Sequence, residues 1–127
     1  MGLEYNKRRV QTPGVVTYSS GYVTLTSTAS SLPLNGTATL AGTAAGDHSF
    51  KLPTAKAGGR VHVTATDSTH VESVTTATTA TTFFGSTFQT VTWSTALGYR
   101  MATFEVVGPS SSLKWMVANA STGSVLS

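Results

Sequence analysis

Three histidines and a few carboxylates are the side chains of this chain that could bind a metal ion. The candidate ligands are His48, His62, His70, Asp47, Asp67 and Glu72. One face of a strand or helix presents two ligands when histidines follow the spacing His-x-His or His-x-x-x-His. No two histidines of the chain have that spacing. The sequence therefore predicts no metal site, and the histidines are interpreted as strand and loop residues.

Nucleophilic and acid–base catalysis have no recognisable residue pattern either. Serine is abundant, but no serine lies in the Gly-x-Ser-x-Gly turn that exposes a catalytic nucleophile. The five acidic residues show no paired arrangement that would assign acid and base roles: Glu4, Asp47, Asp67, Glu72 and Glu105. We therefore expect no catalytic residue and no cofactor, and a structural or binding protein rather than an enzyme.

The elements that position these residues are predicted to be β-strands. Apolar residues alternate with threonine and serine, and this period of two places one row of side chains inward and a row of hydroxyls outward. Glycine, proline and serine separate nine candidate strands, at residues 15–18, 22–28, 37–40, 48–52, 60–66, 71–76, 87–93, 99–107 and 113–118. The pattern predicts an all-β protein, a single antiparallel β-sandwich or small β-barrel with a short extended N-terminal arm.

Composition limits the class of protein further. A chain of 127 residues fits one domain and can fold without a disulfide or a metal. Charged residues make up only 10%, against about 25% in an average soluble protein. No apolar run approaches the roughly 20 residues that span a bilayer, and no apolar segment follows Lys7-Arg8-Arg9 to form a secretory signal. We expect synthesis in the cytoplasm, without export by the general secretory route, and no membrane partner.

Positive charge is concentrated at the beginning of the chain. Residues 1–12 form a predicted basic arm, and residues 13–127 form the predicted β-domain after Pro13-Gly14. A pI of about 9.5 raises nucleic acid as a partner, but the other basic residues are scattered along the sequence, which argues against it. The arm is either a solvated tail or a segment that orders on an acidic surface, with contacts from Tyr5, Lys7, Arg8 and Arg9.

A group of aromatic residues lies just before a predicted strand. Phe83, Phe84 and Phe88 either fill the core of the domain or form an interface between subunits. A surface poor in charge resists self-association weakly. We therefore predict that these three residues form an oligomer interface.

Several short segments follow one another in a characteristic order along the chain. They are Phe50-Lys51-Leu52-Pro53, Ala57-Gly58-Gly59, Val61-His62-Val63, Gly85-Ser86-Thr87, Gln89-Thr90-Val91-Thr92, Ser94-Thr95-Ala96 and Lys114-Trp115-Met116-Val117. From about Thr37 onward this order resembles β-modules of tailed-bacteriophage virion proteins. The resemblance covers about two-thirds of the chain. The loop from Thr66 to Ser73 departs from the pattern.

The resemblance implies a structural role in a virus particle. Such modules occur in capsid decoration (cement) proteins and in tail fibres, commonly as trimers, and the short chain with a polar arm is more similar to a decoration protein. We expect a homotrimer on the outer capsid surface of the virion that binds the major capsid protein and bridges neighbouring capsid subunits. Two alternatives stay open: a tail-fibre module that binds glycans through exposed Tyr and Trp, and an accessory domain of a virion-associated hydrolase.

Overall fold

The computed structural model describes residues 22–42, 45–66, 69–77 and 81–127. Within these residues it contains nine strands and no helix. In chain order they are β1 (Tyr22–Leu25), β2 (Asn35–Leu40), β3 (His48–Lys51), β4 (Arg60–Ala65), β5 (Glu72–Thr75), β6 (Thr90–Trp93), β7 (Met101–Val107), β8 (Lys114–Ala120) and β9 (Val125–Leu126). The all-β prediction is confirmed. The predicted strand at 15–18 and the boundary near Pro13 lie outside the described residues.

The described strands form two sheets. One has five strands in the order β1-β2-β4-β7-β8, and the other has four in the order β3-β5-β6-β9. Apolar side chains from both sheets meet in one core, as expected for a sandwich. The largest buried side chains include Trp93, Phe50, Phe83 and Phe104, all at most 1% exposed.

Strand direction differs from the prediction. Among the described pairings, β1 with β2, β2 with β4 and β3 with β5 are parallel, and the others are antiparallel. The prediction of a purely antiparallel sandwich is therefore wrong. The physical reason is that β3 lies in the opposite sheet from β2 and β4. The chain runs back along β3, so it enters β4 at the same end at which it entered β2, and the two strands are parallel. In the same way, the chain runs through β4 in the other sheet between β3 and β5, so β3 and β5 are parallel.

This winding gives the sandwich two different ends. The connections after β2, β4, β6 and β8 lie at one end, which we call the histidine end because His48 and His70 are there. The connections after β3, β5 and β7 lie at the other, and β1 also begins there with Tyr22. We call this second end the basic end, for the residues described below.

Strand β9 was not predicted. It has two residues, and it pairs antiparallel with β6 through Val91↔Leu126 and Thr92↔Val125. Trp93 Nε1 donates a hydrogen bond of 2.9 Å to Ser124 Oγ just before β9. Ser127 N and O both bond to Thr90. These contacts close the edge of the four-stranded sheet beside the buried tryptophan.

Candidate functional site

The outer surfaces of both sheets are lined by hydroxyl groups, as the alternation predicted. In β4, Val61 and Val63 are fully buried, whereas His62 and Thr64 face outward. Register aligns the outward residues across strands, so that Thr39 is the partner of both Thr24 and Thr64. The exposed Tyr22 joins this face through a contact of 3.1 Å between its hydroxyl and Thr39 Oγ1. Hydrogen bonds with Thr39 and, secondarily, Thr24 lower the pKa of Tyr22.

A histidine and a glutamate are paired in the interior at the histidine end. His48 Nδ1 lies 3.0 Å from Glu72 Oε2, and both residues are buried, at 2% and 0% exposure. The ring of His70 meets the ring of His48 edge-on, with centroids 5.2 Å apart. A Cβ added at Gly42 would overlap the His48 ring, so this glycine leaves the space that the imidazole occupies. Sequence reasoning treated His48 and Glu72 as isolated residues, and the structure brings them together.

The signal for this pair was present in the strand pattern. His48 alternates with the buried Phe50, and Glu72 alternates with the buried Val74. Inward positions at the starts of neighbouring strands are directly opposite one another, and His48 and Glu72 are register partners. Because both side chains are closed off from solvent, the geometry supports packing and hydrogen bonding at this point. In the described part of the chain, no group of three or more metal-binding side chains comes together.

Arg100 is also buried at this end. It precedes β7 and is 7% exposed, and its backbone oxygen accepts a hydrogen bond from Ala65 N. Within the described residues, Arg100 Nη1 is buried without a hydrogen-bond partner. This guanidinium is therefore withdrawn from the protein surface.

The remaining basic residues of the described domain are brought together by the fold. Lys51 ends β3, Arg60 begins β4 and Lys114 begins β8, while Lys56 lies in the connection between β3 and β4. All four therefore lie at the basic end, although they are scattered in sequence. Arg60 Nε contacts Glu105 Oε2 at 2.7 Å in an ion pair that is partly exposed to solvent. These four basic residues are therefore scattered in the sequence but lie together at one end of the folded domain.

The predicted interface residues are divided between interior and surface. Phe83 is 1% exposed and stacks on Phe104 with ring centroids 5.8 Å apart, so it belongs to the core of the domain itself. Phe84 and Phe88 are 45% and 41% exposed. Phe84 N donates to Trp115 O, which places this exposed residue next to the beginning of β8 at the basic end. Of these three residues, only Phe84 and Phe88 are exposed enough to contact a partner.

The two tryptophans are buried, whereas two of the tyrosines are exposed. Trp93 and Trp115 are 0% and 3% exposed, and the indole of Trp115 donates a 2.7 Å hydrogen bond to Pro53 O. A glycan contact through tryptophan, which one alternative required, is therefore wrong for these two residues. Tyr22 and Tyr99 are 65% and 79% exposed.

Two adjoining depressions lie beside Tyr99. One is lined by His62, Met101, Ala102, Thr103, Asn119, Ala120 and Ser121, and the other by Gly98, Tyr99, Met101, Ser121 and Thr122. They share Met101 and Ser121, so together they form one groove from the histidine end onto the outer face of the five-stranded sheet. We call this the Tyr99 groove.

The predicted capsid contacts Tyr5, Lys7, Arg8 and Arg9 lie outside the described residues. In the described part of the chain, no helix is long and apolar enough to cross a membrane. Comparison with models of known protein families and with curated proteins found no match to this chain.

Proposed function

We propose that this protein is a structural virion protein that binds the outer surface of a bacteriophage capsid and stabilises the shell by bridging neighbouring capsid subunits. The observation that carries the proposal is the basic end. Lys51, Lys56, Arg60 and Lys114 lie together at one end of the domain, although they come from three strands and a connection. This end can face an acidic partner surface.

Charge complementarity supports this orientation. Lysine and arginine at the basic end favour carboxylates on the partner, and charge-assisted hydrogen bonds are the stronger ones when they are partly desolvated. At the opposite end Asp47 is exposed, whereas Arg100, the described basic residue there, is buried. The domain is thus polarised along its strands, which favours one orientation on a negatively charged shell.

The exposed Phe84 and Phe88 support association of copies of this chain. They lie at the basic end, so a homotrimer closed through them would bring three basic ends to the side that faces the shell. Three basic ends joined in one trimer engage several capsid subunits at once, and the second and third contacts become intramolecular. Bridging would then follow from geometry, with a modest contribution from each copy.

Attachment to capsids tests the basic surface. Changing Lys7, Arg8 and Arg9 to alanine, or Lys51 and Lys56 to glutamate, is expected to reduce occupancy on undecorated particles and to make the remaining binding less sensitive to salt. A desolvated charge-assisted contact contributes about 1.5 to 3 kcal/mol, and an exposed one contributes little. Occupancy is measured by sedimentation of particles across a salt series.

Tyr99→Ala at the histidine end is the control for attachment, and it should bind particles like the wild type. Equal occupancy of the wild type and both charge variants at every salt concentration would contradict the proposal. Binding of the isolated protein to DNA with the same salt dependence, and none to capsids, would favour a nucleic-acid partner for the basic end.

Oligomeric state tests the exposed phenylalanines. The wild type is expected to have a trimer mass in light scattering, and the variant Phe84→Ser/Phe88→Ser a monomer mass, because two apolar contacts per copy are lost. Salt should strengthen the trimer, because it screens the repulsion between the basic ends. It should weaken capsid attachment, because it screens the attraction to an acidic shell.

Val125→Ser is the matched control for this experiment, because Val125 is an exposed apolar residue, at 59%, on a different sheet edge. It should remain trimeric. A wild-type monomer at micromolar concentration would show that the free protein does not associate through Phe84 and Phe88.

A further inference from the structure

The Tyr99 groove is an open depression on the surface of the histidine end. Its open part measures about 410 Å³ and its narrower part about 70 Å³, and pockets for small organic ligands measure about 300 to 1,000 Å³. The narrow part cannot hold a sugar-sized ring, but it can accept a substituent from a ring that lies beside Tyr99. The groove is on the five-stranded sheet and the histidine end, away from the basic end.

The groove is lined by apolar groups such as Met101 and Ala120, by hydrogen-bonding groups and by one tyrosine ring. Its lining contains imidazole, amide, hydroxyl and phenol groups, and no carboxylate, ammonium or guanidinium group is among the described lining residues. An anionic ligand such as a nucleic acid would need cations at its phosphates. A ligand with many hydroxyls and no charge suits this lining better, because each hydroxyl can both donate and accept a hydrogen bond.

Tyr99 is held in place by the end of β8. Ser121 Oγ donates to Tyr99 O at 3.2 Å and accepts from Met101 N at 3.1 Å, so the backbone on both sides of Arg100 is fixed to one side chain. A second bond joins Ser121 N to Met101 O. The ring is 79% exposed, and a tyrosine presented from a fixed backbone offers a large contact surface at small cost in conformational entropy.

The polar side of the groove is also oriented. His62 Nδ1 lies 2.7 Å from Thr103 Oγ1, which fixes the imidazole plane. Within the described residues the other ring nitrogen, Nε2, makes no hydrogen bond, and Asn119 is the register partner of Thr103 on the edge strand β8. His62, Thr103 and Asn119 thus form one row across three strands.

From this arrangement we propose that the Tyr99 groove binds a neutral oligosaccharide. Tyr99 supports the apolar face of one sugar ring, and His62 Nε2 and the Asn119 amide bond to hydroxyls of the same or the next ring. The groove lies on a different end and face from the basic end, so this binding does not depend on attachment to a capsid. A copy attached through its basic end would present the groove away from the shell.

The test uses an array of neutral hexose oligosaccharides, with sialylated and sulfated oligosaccharides on the same surface. The wild type should bind neutral glycans, Tyr99→Ala should weaken that binding about tenfold or more, and Asn119→Ala should weaken it several-fold. Tyr99→Phe keeps the ring and should retain most of the binding. Tyr22→Ala removes an exposed tyrosine, at 65% exposure, at the opposite end and should bind like the wild type.

Three results would overturn the proposal: absence of binding to every neutral glycan, binding restricted to the charged glycans, or equal binding by the wild type and Tyr99→Ala. Thermal melting of each variant separates loss of the site from loss of the fold. Tyr99 is exposed, so Tyr99→Ala should melt like the wild type. If it does not, comparison of Tyr99→Phe with Asn119→Ala at matched stability decides the result, because a binding groove requires the amide and tolerates loss of the phenol oxygen.

Discussion

Replacing Glu72 with alanine is expected to lower the free energy of unfolding by about 1 to 3 kcal/mol, because it removes the hydrogen bond between two buried side chains. The pair is closed off from water on both sides, with His48 and Glu72 at 2% and 0% exposure and their atoms 3.0 Å apart. Solvent therefore cannot replace the lost hydrogen bond. Denaturant unfolding of the purified variant measures the change.

The matched control is Glu105→Ala. Glu105 also pairs with a basic side chain, at 2.7 Å from Arg60, but this pair lies at the surface, with the Arg60 side chain 68% exposed. Surface ion pairs contribute about 0 to 1 kcal/mol, so Glu105→Ala should stay within that range. Similar losses for the two variants would contradict the structural role given to burial at the histidine end.

Replacing Phe83 with alanine is expected to cost about 3 to 5 kcal/mol, whereas Phe84→Ala should change the stability by less than about 0.5 kcal/mol. Phe83 is 1% exposed and stacks on Phe104, so its removal opens a cavity between the two sheets. Phe84 is 45% exposed, and much of its ring already contacts water. The two residues are neighbours in sequence, so local propensity and chain position are nearly the same.

Denaturant unfolding at a concentration where both variants are monomeric gives this comparison. An equal loss for Phe83→Ala and Phe84→Ala would mean that both rings support the core. A loss confined to Phe84→Ala would reverse the assignment of interior and surface, and would return Phe83 to the interface predicted from the sequence.

The strands could be predicted because alternation is a property of each strand alone. Val61 and Val63 face the core while His62 and Thr64 face outward, and a period of two in the sequence carries that information directly. Predicted and observed strands therefore overlap from β1 to β8. Strand β9 was missed because two residues are too few to show a period.

Strand partners could not be predicted in the same way. Nothing in the residues of β2 indicates that its neighbours are β1 and β4, and not the next strand along the chain. That choice is made by which sheet each connection reaches, and a short connection favours an antiparallel hairpin only when both of its strands stay in the same sheet. The antiparallel prediction failed for this reason.

The same limit decides which parts of the candidate site could be predicted from the sequence. The groove beside Tyr99 joins residues from β4, β7 and β8, and the basic end joins residues from β3, β4 and β8 together with the connection between β3 and β4. Each depends on strand pairing across long separations, so neither is visible as a motif. The pair of His48 and Glu72 could have been found, because each residue occupies an inward position in an alternating strand.

The alternation of β2, β3, β4 and β5 between two sheets also has a consequence for how the chain folds. Strand β4 pairs with β2 across the intervening β3, which lies in the other sheet, and β5 pairs with β3 across the intervening β4. Neither sheet can therefore be completed as a local hairpin stack before the other. Many residues that pair in the folded sheets are far apart in sequence, as in the contact between Arg60 and Glu105, 45 residues apart. We expect slow, cooperative acquisition of structure, in which a truncated chain ending before β7 has no stable half to form.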